Sequence, residues 1–251
     1  MKMRMMSSLS ILLLCAGLAS AAPDTPALKI YGMDSKPISY AETGQPAGLA
    51  VELAHRIQDK LGRHDAIDIV PWARAQTLAE AGPNVMLLTV VRTPERERQM
   101  QFVGPIFTSR VVAYVAKGRL AALQRHDPGL YKSHAGARRG SIFVNLARGL
   151  GFNVTDETNS SEIAAKMLMS GRFDLWFDGE ELMPGAMERA GHRPDEVEVA
   201  LRLGTAEVYF AFSNGTPKEL VEAWAGALRE LKRDGSLSKL QRKWLAAPPE
   251  H

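Results

Sequence analysis

Cysteine is almost absent from this 251-residue sequence, because Cys15 is its single example. Cys15 lies inside an apolar run at residues 9–18, which follows a basic start at Lys2 and Arg4 and precedes small residues ending at Ala21. This order is typical of a secretory signal peptide that is cleaved near Ala21. We therefore expect export to the periplasm and a mature protein without disulfides, whose stability depends on a hydrophobic core.

Long hydrophobic runs and an excess of one charge are also missing. The apolar run at residues 9–18 has about half of the roughly twenty residues that a membrane-spanning helix needs, and no later stretch could span a bilayer either. Lysine and arginine total 31 and aspartate and glutamate 28, a formal net charge of +3, and the two signs alternate along the chain. We therefore expect neither a membrane span nor a nucleic-acid partner.

The residue patterns of metal sites and of catalysis are not present either. The six histidines show no close pairing with one another or with cysteine, and no phosphate-binding glycine-rich loop occurs. Ser141 lacks the Gly-x-Ser-x-Gly surroundings of a hydrolase nucleophile. The sequence therefore predicts no metal, no cofactor and no catalytic residue.

What the sequence does contain is an alternation of strand and helix patterns. Apolar residues recur every four positions through 49–61, as on the buried face of a helix, and residues 85–91 form an almost uninterrupted apolar strand. The alternation restarts with a strand at 111–116, which indicates a second α/β unit, and the sheet is expected to be parallel. Farther along, the pattern predicts strands at 197–203 and 208–212 and helices at 217–233 and 236–245.

Five short segments carry a resemblance to a known family. They are GLAVEL at 48–53, TPER at 93–96 followed by Phe102, the pair Gly104-Pro105, GRFD at 171–174 and LKRDGSL at 231–237. In this order they resemble the family-3 periplasmic solute-binding proteins, which include the histidine- and glutamine-binding proteins of bacterial amino-acid ABC transporters.

The resemblance implies an α/β, two-lobed periplasmic-binding-protein fold of type II. Its two lobes are joined by two crossing strands, and the ligand lies in the cleft between them, at the carboxyl ends of the sheet strands. The expected organisation is a signal peptide at 1–21, lobe 1 at 22–109 and 206–251, and lobe 2 at 110–205.

Arg96 is the residue that we expect to anchor the ligand. Thr93 is a suitable N-cap and Pro94 a favoured first helical residue, which places Arg96 in the first turn of a short helix straight after a buried strand. A guanidinium matches the geometry of a carboxylate, and in the family that this sequence resembles such an arginine holds the ligand's α-carboxylate. The pattern alone leaves open a solvated charged face made of Arg92, Glu95, Arg96, Glu97 and Arg98.

Further ligand contacts are implied by the same resemblance. Thr89 and Val91, at the end of the preceding strand, match positions whose hydroxyl or backbone amide meets the ligand. In lobe 2, Ser141 and Ile142 open a helix, and the free N–H groups of a helix start suit an anion. An ordinary serine cap at Ser141 is the alternative.

More than one acid in the sequence could hold a ligand ammonium. The nearest carboxylate is Asp178, which falls one residue before the family's usual place, occupied here by Gly179. Glu180 or Glu181 could substitute for it, and Asp178 could equally be a plain turn residue. Arg96 therefore argues for a carboxylate in the ligand more firmly than any acid argues for an amine.

Aromatic contacts to the ligand are expected from the first lobe. Trp72 and Arg74 follow the second strand, where an aromatic ring could form the floor of the cleft and contact the ligand. The alternative for Trp72 is packing in the core. Tyr40, in the loop after the first strand, is a similar candidate. Where the family often stacks an aromatic ring near the first strand, this chain has Ser35.

Together these features predict a monomeric periplasmic binding protein for a small carboxylate-bearing solute, an amino acid or a relative. An inner-membrane ABC-type permease is the expected partner. Two alternatives stay open. One is an enzyme resembling cyclohexadienyl dehydratases, with acids such as Asp178, Glu180 and Glu181 in the cleft; the other is a ligand-sensing partner of a membrane receptor.

Overall fold

The structure is a computed structural model that describes residues 26–125 and 129–245. The predicted signal peptide lies outside these residues. The strands are β1 (Lys29–Gly32), β2 (Tyr40–Glu42), β3 (Gln45–Ala47), β4 (Ile67–Ile69), β5 (Val85–Val91), β6 (Met100–Ala116), β7 (Ala135–Arg138), β8 (Val154–Thr158), β9 (Leu175–Gly179) and β10 (Val197–Ser213). The helices are α1 (Leu49–Leu61), α2 (Trp72–Glu80), α3 (Pro94–Glu97), α4 (Leu120–Arg125), α5 (Ile142–Gly149), α6 (Ser161–Met169), α7 (Met183–Arg189), α8 (Lys218–Arg233) and α9 (Ser236–Leu245).

Eight of these strands form one mixed sheet in the order β4-β1-β5-β10-β6-β9-β7-β8. The strands at each end pair in parallel, whereas β10 pairs with both β5 and β6 in antiparallel fashion, and β6 pairs with β9 in the same way. The expectation of a parallel sheet is therefore wrong in its centre. The chain leaves one half along β6 and returns along β10, so these two strands must run in opposite directions.

The central strands β6 and β10 are much longer than the sequence pattern predicted. Each has 17 residues, and they pair from Met100 opposite Ser213 to Ala116 opposite Val197. The predicted strands at 197–203 and 208–212 are one continuous strand. Its middle is mostly exposed and carries register shifts, so no buried face imposes an apolar alternation there.

Each half of the sheet has its own helical layer, and one large buried cluster runs through both halves. In the first half, α1, α8 and α9 pack on one another, and Trp224 of α8 is fully buried against Phe210 and Phe212 of β10. In the second half, α6 and α7 cover Tyr114 and Trp176, whose ring centres lie 5.5 Å apart. This architecture confirms the α/β fold class that was expected.

Candidate ligand-binding cleft

A cleft with an empty volume of about 590 Å³ lies where the two halves of the molecule face each other. The first half contributes the carboxyl ends of β1 and β5 and the start of α2, and the second half contributes the end of β7 and the start of α5. Six of the residues predicted from the sequence line it: Trp72, Thr89, Val91, Arg96, Ser141 and Ile142.

Three other predicted residues are not brought to this cleft. Tyr40 is buried outside the cleft lining, with its ring centre 6.4 Å from that of Trp244. Arg74 is exposed on α2. Asp178 is 0% exposed at the end of β9, where its Oδ1 accepts a hydrogen bond from the Gly179 amide at 2.8 Å.

Arg96 is positioned by the local structure that the sequence predicted. Thr93 caps α3, with its Oγ1 accepting from the Arg96 amide at 3.3 Å, and Pro94 is the first helical residue. The guanidinium donates to the Val91 carbonyl at 3.0 Å, and its carbon lies 5.5 Å from the centre of the Trp72 ring. Burial lowers the pKa of Arg96, in contrast to exposed Arg92, which pairs with Glu97. Arg96 is thus distinct from the solvated face.

The second half presents a helix start to Arg96. Gly140 adopts φ of 65°, a left-handed turn that leads into α5, and its carbonyl accepts from Arg96 Nη2 at 3.5 Å. Ser141 occupies the cap position of α5 but makes no side-chain cap hydrogen bond. Its Oγ is buried without a partner in the described part of the chain, as is Trp72 Nε1. The ordinary serine cap is therefore not what the structure contains, and the hydroxyl is available to a ligand.

Sequence reasoning missed a second arginine in the cleft. Arg138, the last residue of β7, lines it and donates from Nη1 to Ser35 Oγ at 2.6 Å. Its guanidinium carbon lies 5.8 Å from the centre of the Phe143 ring. Burial lowers the pKa of Arg138, while the charges of Asp178 and Glu181 oppose that shift. Its place at the end of a strand, shortly before the start of α5, was the available signal.

Glu181 is the acid that faces the cleft. Its Oε1 accepts from Ser109 Oγ at 2.6 Å, and a Cβ atom at Gly179 would lie only 2.5 Å from that oxygen. The carboxyl of Glu181 thus occupies the space where a side chain at position 179 would begin. Glu180 instead pairs with Arg110 and Arg202.

Burial raises the pKa of Glu181 to about 7, against the hydrogen bond from Ser109, which lowers it; the charge of Asp178 raises it further. Because the folded pKa exceeds the unfolded value, the folded protein binds the extra proton between about pH 4.5 and pH 7, and its unfolding free energy falls as pH rises through that window. We therefore expect Glu181→Gln to raise the unfolding free energy by about 1–3 kcal/mol at about pH 8, with little difference below about pH 4.5. Urea titrations at both pH values measure this.

Glu180→Gln is the matched control, because burial is outweighed there by Arg110 and Arg202, which lower the pKa of Glu180. Its substitution should cost up to about 1 kcal/mol at neutral pH, since the carboxylate is partly exposed. A Glu181→Gln variant that is equally destabilised at both pH values would contradict the assignment of a raised pKa.

Among residues 26–125 and 129–245, no group of three or more histidine, cysteine, aspartate or glutamate side chains is arranged to hold a metal ion. In the same residues no helix has both the length and the apolar character of a membrane span.

Comparisons with known proteins agree with this geometry. Residues 30–247 match the sequence profile of the bacterial extracellular solute-binding proteins, family 3. The chain is 24% identical to the L-cystine-binding protein TcyA of Bacillus subtilis (strain 168) over 213 residues, 83% of this chain and 77% of the relative. It is 26% identical to the arginine-binding extracellular protein ArtP of the same organism over 216 residues, 84% of this chain and 82% of the relative.

A solved structure supports the two-lobed fold. The crystal structure of an ancestral amino acid-binding protein, a precursor of cyclohexadienyl dehydratase, superposes with a TM-score of 0.74 at 22% sequence identity. The match covers 87% of this chain and 96% of that one. Together with the crossing of β6 and β10, it confirms the periplasmic-binding-protein fold.

Proposed function

Since the chain belongs to family 3 of the bacterial extracellular solute-binding proteins, we propose that it captures a small carboxylate-bearing solute, an amino acid or a relative, in the cleft around Arg96. The observation that carries this proposal is the half-buried Arg96 guanidinium, which faces the cleft and forms no ion pair within 4 Å in the described part of the chain. Relatives named for binding cystine and arginine support an amino-acid-like ligand.

The carboxylate would be gripped from both halves of the molecule. Arg96 offers a planar fork of donors on one side, and the Ser141 hydroxyl with the first amides of α5 offers donors on the other. Thr89 and Val91 complete the first side. A ligand that contacts both halves binds the closed form better than the open one, so binding shifts the population toward closure.

The division into lobes is proposed as lobe 1 at 22–109 and 206–251 and lobe 2 at 110–205. Support comes from the register of the central strands, in which Ser109 pairs with Ala206 and Arg110 with Thr205. The two boundaries expected from the sequence thus face each other across the ladder. Bending at this level would open or close the cleft.

A periplasmic monomer that delivers its ligand to an inner-membrane ABC permease is the proposed setting. The family is one of extracellular proteins, and the basic start with its short apolar run is typical of an exported chain.

A thermal-shift panel tests the function directly. We expect amino acids or small organic acids to raise the melting temperature and polyamines, which lack a carboxylate, to leave it unchanged. A ligand at about a hundredfold its Kd adds about 2.7 kcal/mol, which moves the Tm by several degrees in a chain of this size. Stabilisation by polyamines alone would contradict a site built around Arg96.

A second candidate is elimination of water from a carboxylated substrate, and Glu181 is the observation that favours it. Its pKa of about 7 leaves a protonated carboxyl that could donate its proton to the hydroxyl group as the C–O bond breaks, while the bond to the substrate's carboxylate supplies the electron pair and releases CO2. The structurally similar precursor of cyclohexadienyl dehydratase belongs to the same fold. Incubation with prephenate and arogenate discriminates between the two functions. A binding protein gives no product, whereas an enzyme gives a product, and Glu181→Gln should abolish its formation.

A further inference from the structure

Two arginines from opposite halves of the molecule line the same cleft, and a ligand with one carboxylate satisfies only one of them. Arg96 follows β5 in the first half and Arg138 ends β7 in the second. Arg138 donates one hydrogen bond, to Ser35, which leaves most of the five N–H donors of its guanidinium without a protein acceptor in the described residues. A buried guanidinium is expensive to hold without an anion.

The acids near Arg138 do not neutralise it at close range. No ion pair within 4 Å involves Arg138 in the described ranges. Asp178 is fully buried and Glu181 is occupied by the Ser109 hydroxyl. Burial raises the pKa of both carboxyl groups, so each favours its neutral form more than an exposed acid does. The cleft lining therefore holds two guanidinium groups, neither of which has a carboxylate within 4 Å among the described residues.

We propose that the ligand carries two acidic groups, with one carboxylate held by Arg96 and a second carboxylate held by Arg138. This inference rests on the proposed function, because it assigns the ligand class of the same cleft. Ser141, whose buried Oγ has no partner within the described residues, stands at the start of α5 and lines the same cleft as both arginines, so it can serve either carboxylate.

Matched pairs of probes that differ only in the second acid test the inference by titration calorimetry. The pairs are L-aspartate with L-asparagine, L-glutamate with L-glutamine, and succinate and glutarate with their monoamides. We expect the acid to bind at least about tenfold tighter than its amide in at least one pair. Arg138→Gln, which keeps a donor for Ser35, should reduce that preference about tenfold or more by weakening the acid and sparing the amide.

Arg139→Gln is the matched control, because Arg139 is the exposed neighbour and its side chain donates only to the Glu157 carbonyl among the described contacts. It should leave the preference for the acid unchanged. The inference is overturned if no two-acid probe binds at millimolar concentration, if the amides bind as tightly as the acids, or if Arg138→Gln leaves the ratio unaltered. The comparison within the unmodified protein holds even where the variant fails to fold.

The two proposals fail separately in this experiment. Amides that bind tightly and lose affinity in an Arg96 variant would leave the solute-binding function intact and remove only the two-acid ligand. Binding whose affinity is unchanged in an Arg96 variant would contradict both proposals.

Discussion

Replacing Arg96 with alanine is expected to reduce ligand affinity by about 30-fold or more. Truncating one partner of a buried, hydrogen-bonded charge pair costs about 2–5 kcal/mol, because the ligand carboxylate is then left in the cleft without its counterion. Calorimetry with the tightest ligand from the thermal-shift panel measures the loss. The affinity of Arg96→Lys should fall between those of the unmodified protein and Arg96→Ala, since lysine keeps the charge and loses the planar fork.

Arg98→Ala is the control for the arginine cluster around α3. Arg98 is exposed and donates to the Pro94 carbonyl at 3.1 Å, on the same short segment but away from the cleft lining. Its replacement should change affinity less than about threefold, as expected for a surface charge. Unchanged affinity in Arg96→Ala would remove Arg96 as the anchor, while a large loss in Arg98→Ala would indicate a general effect of the cluster.

Arg96 could be predicted because its position is fixed by short-range signals. A cap at Thr93, a proline at 94 and a buried strand just before them determine where this side chain starts, whatever the rest of the chain does. The helix start at Ser141 was predictable for the same reason. Local capping rules therefore predicted the places of Arg96 and Ser141, whereas Thr89 and Val91 came from the family resemblance.

The cleft acid could not be chosen from sequence because it depends on tertiary packing. Asp178, Glu180 and Glu181 are neighbours in the chain, yet one is buried, one pairs with Arg110 and one faces the cleft. Glu181 is held by Ser109 of β6, which lies 72 positions away in the chain and donates its hydroxyl to the carboxylate. Such a long-range contact leaves no local signal.

Arg138 and the long central strands were missed for different physical reasons. Arg138 and Arg139 are adjacent and chemically identical. Successive side chains of a strand lie on opposite faces, so only the placement of β7 in the sheet decides which arginine lines the cleft. In β10 the crossing segment is mostly exposed at 201–205. Without a buried face this segment carries no apolar alternation, and the pattern predicted two shorter strands there.

Trp224→Ala is expected to lower the unfolding free energy by about 3–5 kcal/mol, the range for removing a large buried aromatic side chain. Trp224 is 0% exposed, and its ring lies 5.8 Å from the rings of Phe210 and Phe212 in edge-to-face contact. It ties α8, near the end of the chain, to β10 in the first half. Since domains are stable by about 5–15 kcal/mol, this loss is a large share of the total.

Urea unfolding followed by circular dichroism measures the change, and Glu222→Ala is the control on the same helix. Glu222 is exposed, so its replacement should alter the unfolding free energy by less than about 0.5 kcal/mol. The proposed discontinuous lobe 1 requires residues 206–245 to fold together with the first part of the chain, because α8 packs against α1 and β6. A loss below about 1 kcal/mol in Trp224→Ala would mean that α8 contributes little to that core and would argue against this division of the chain.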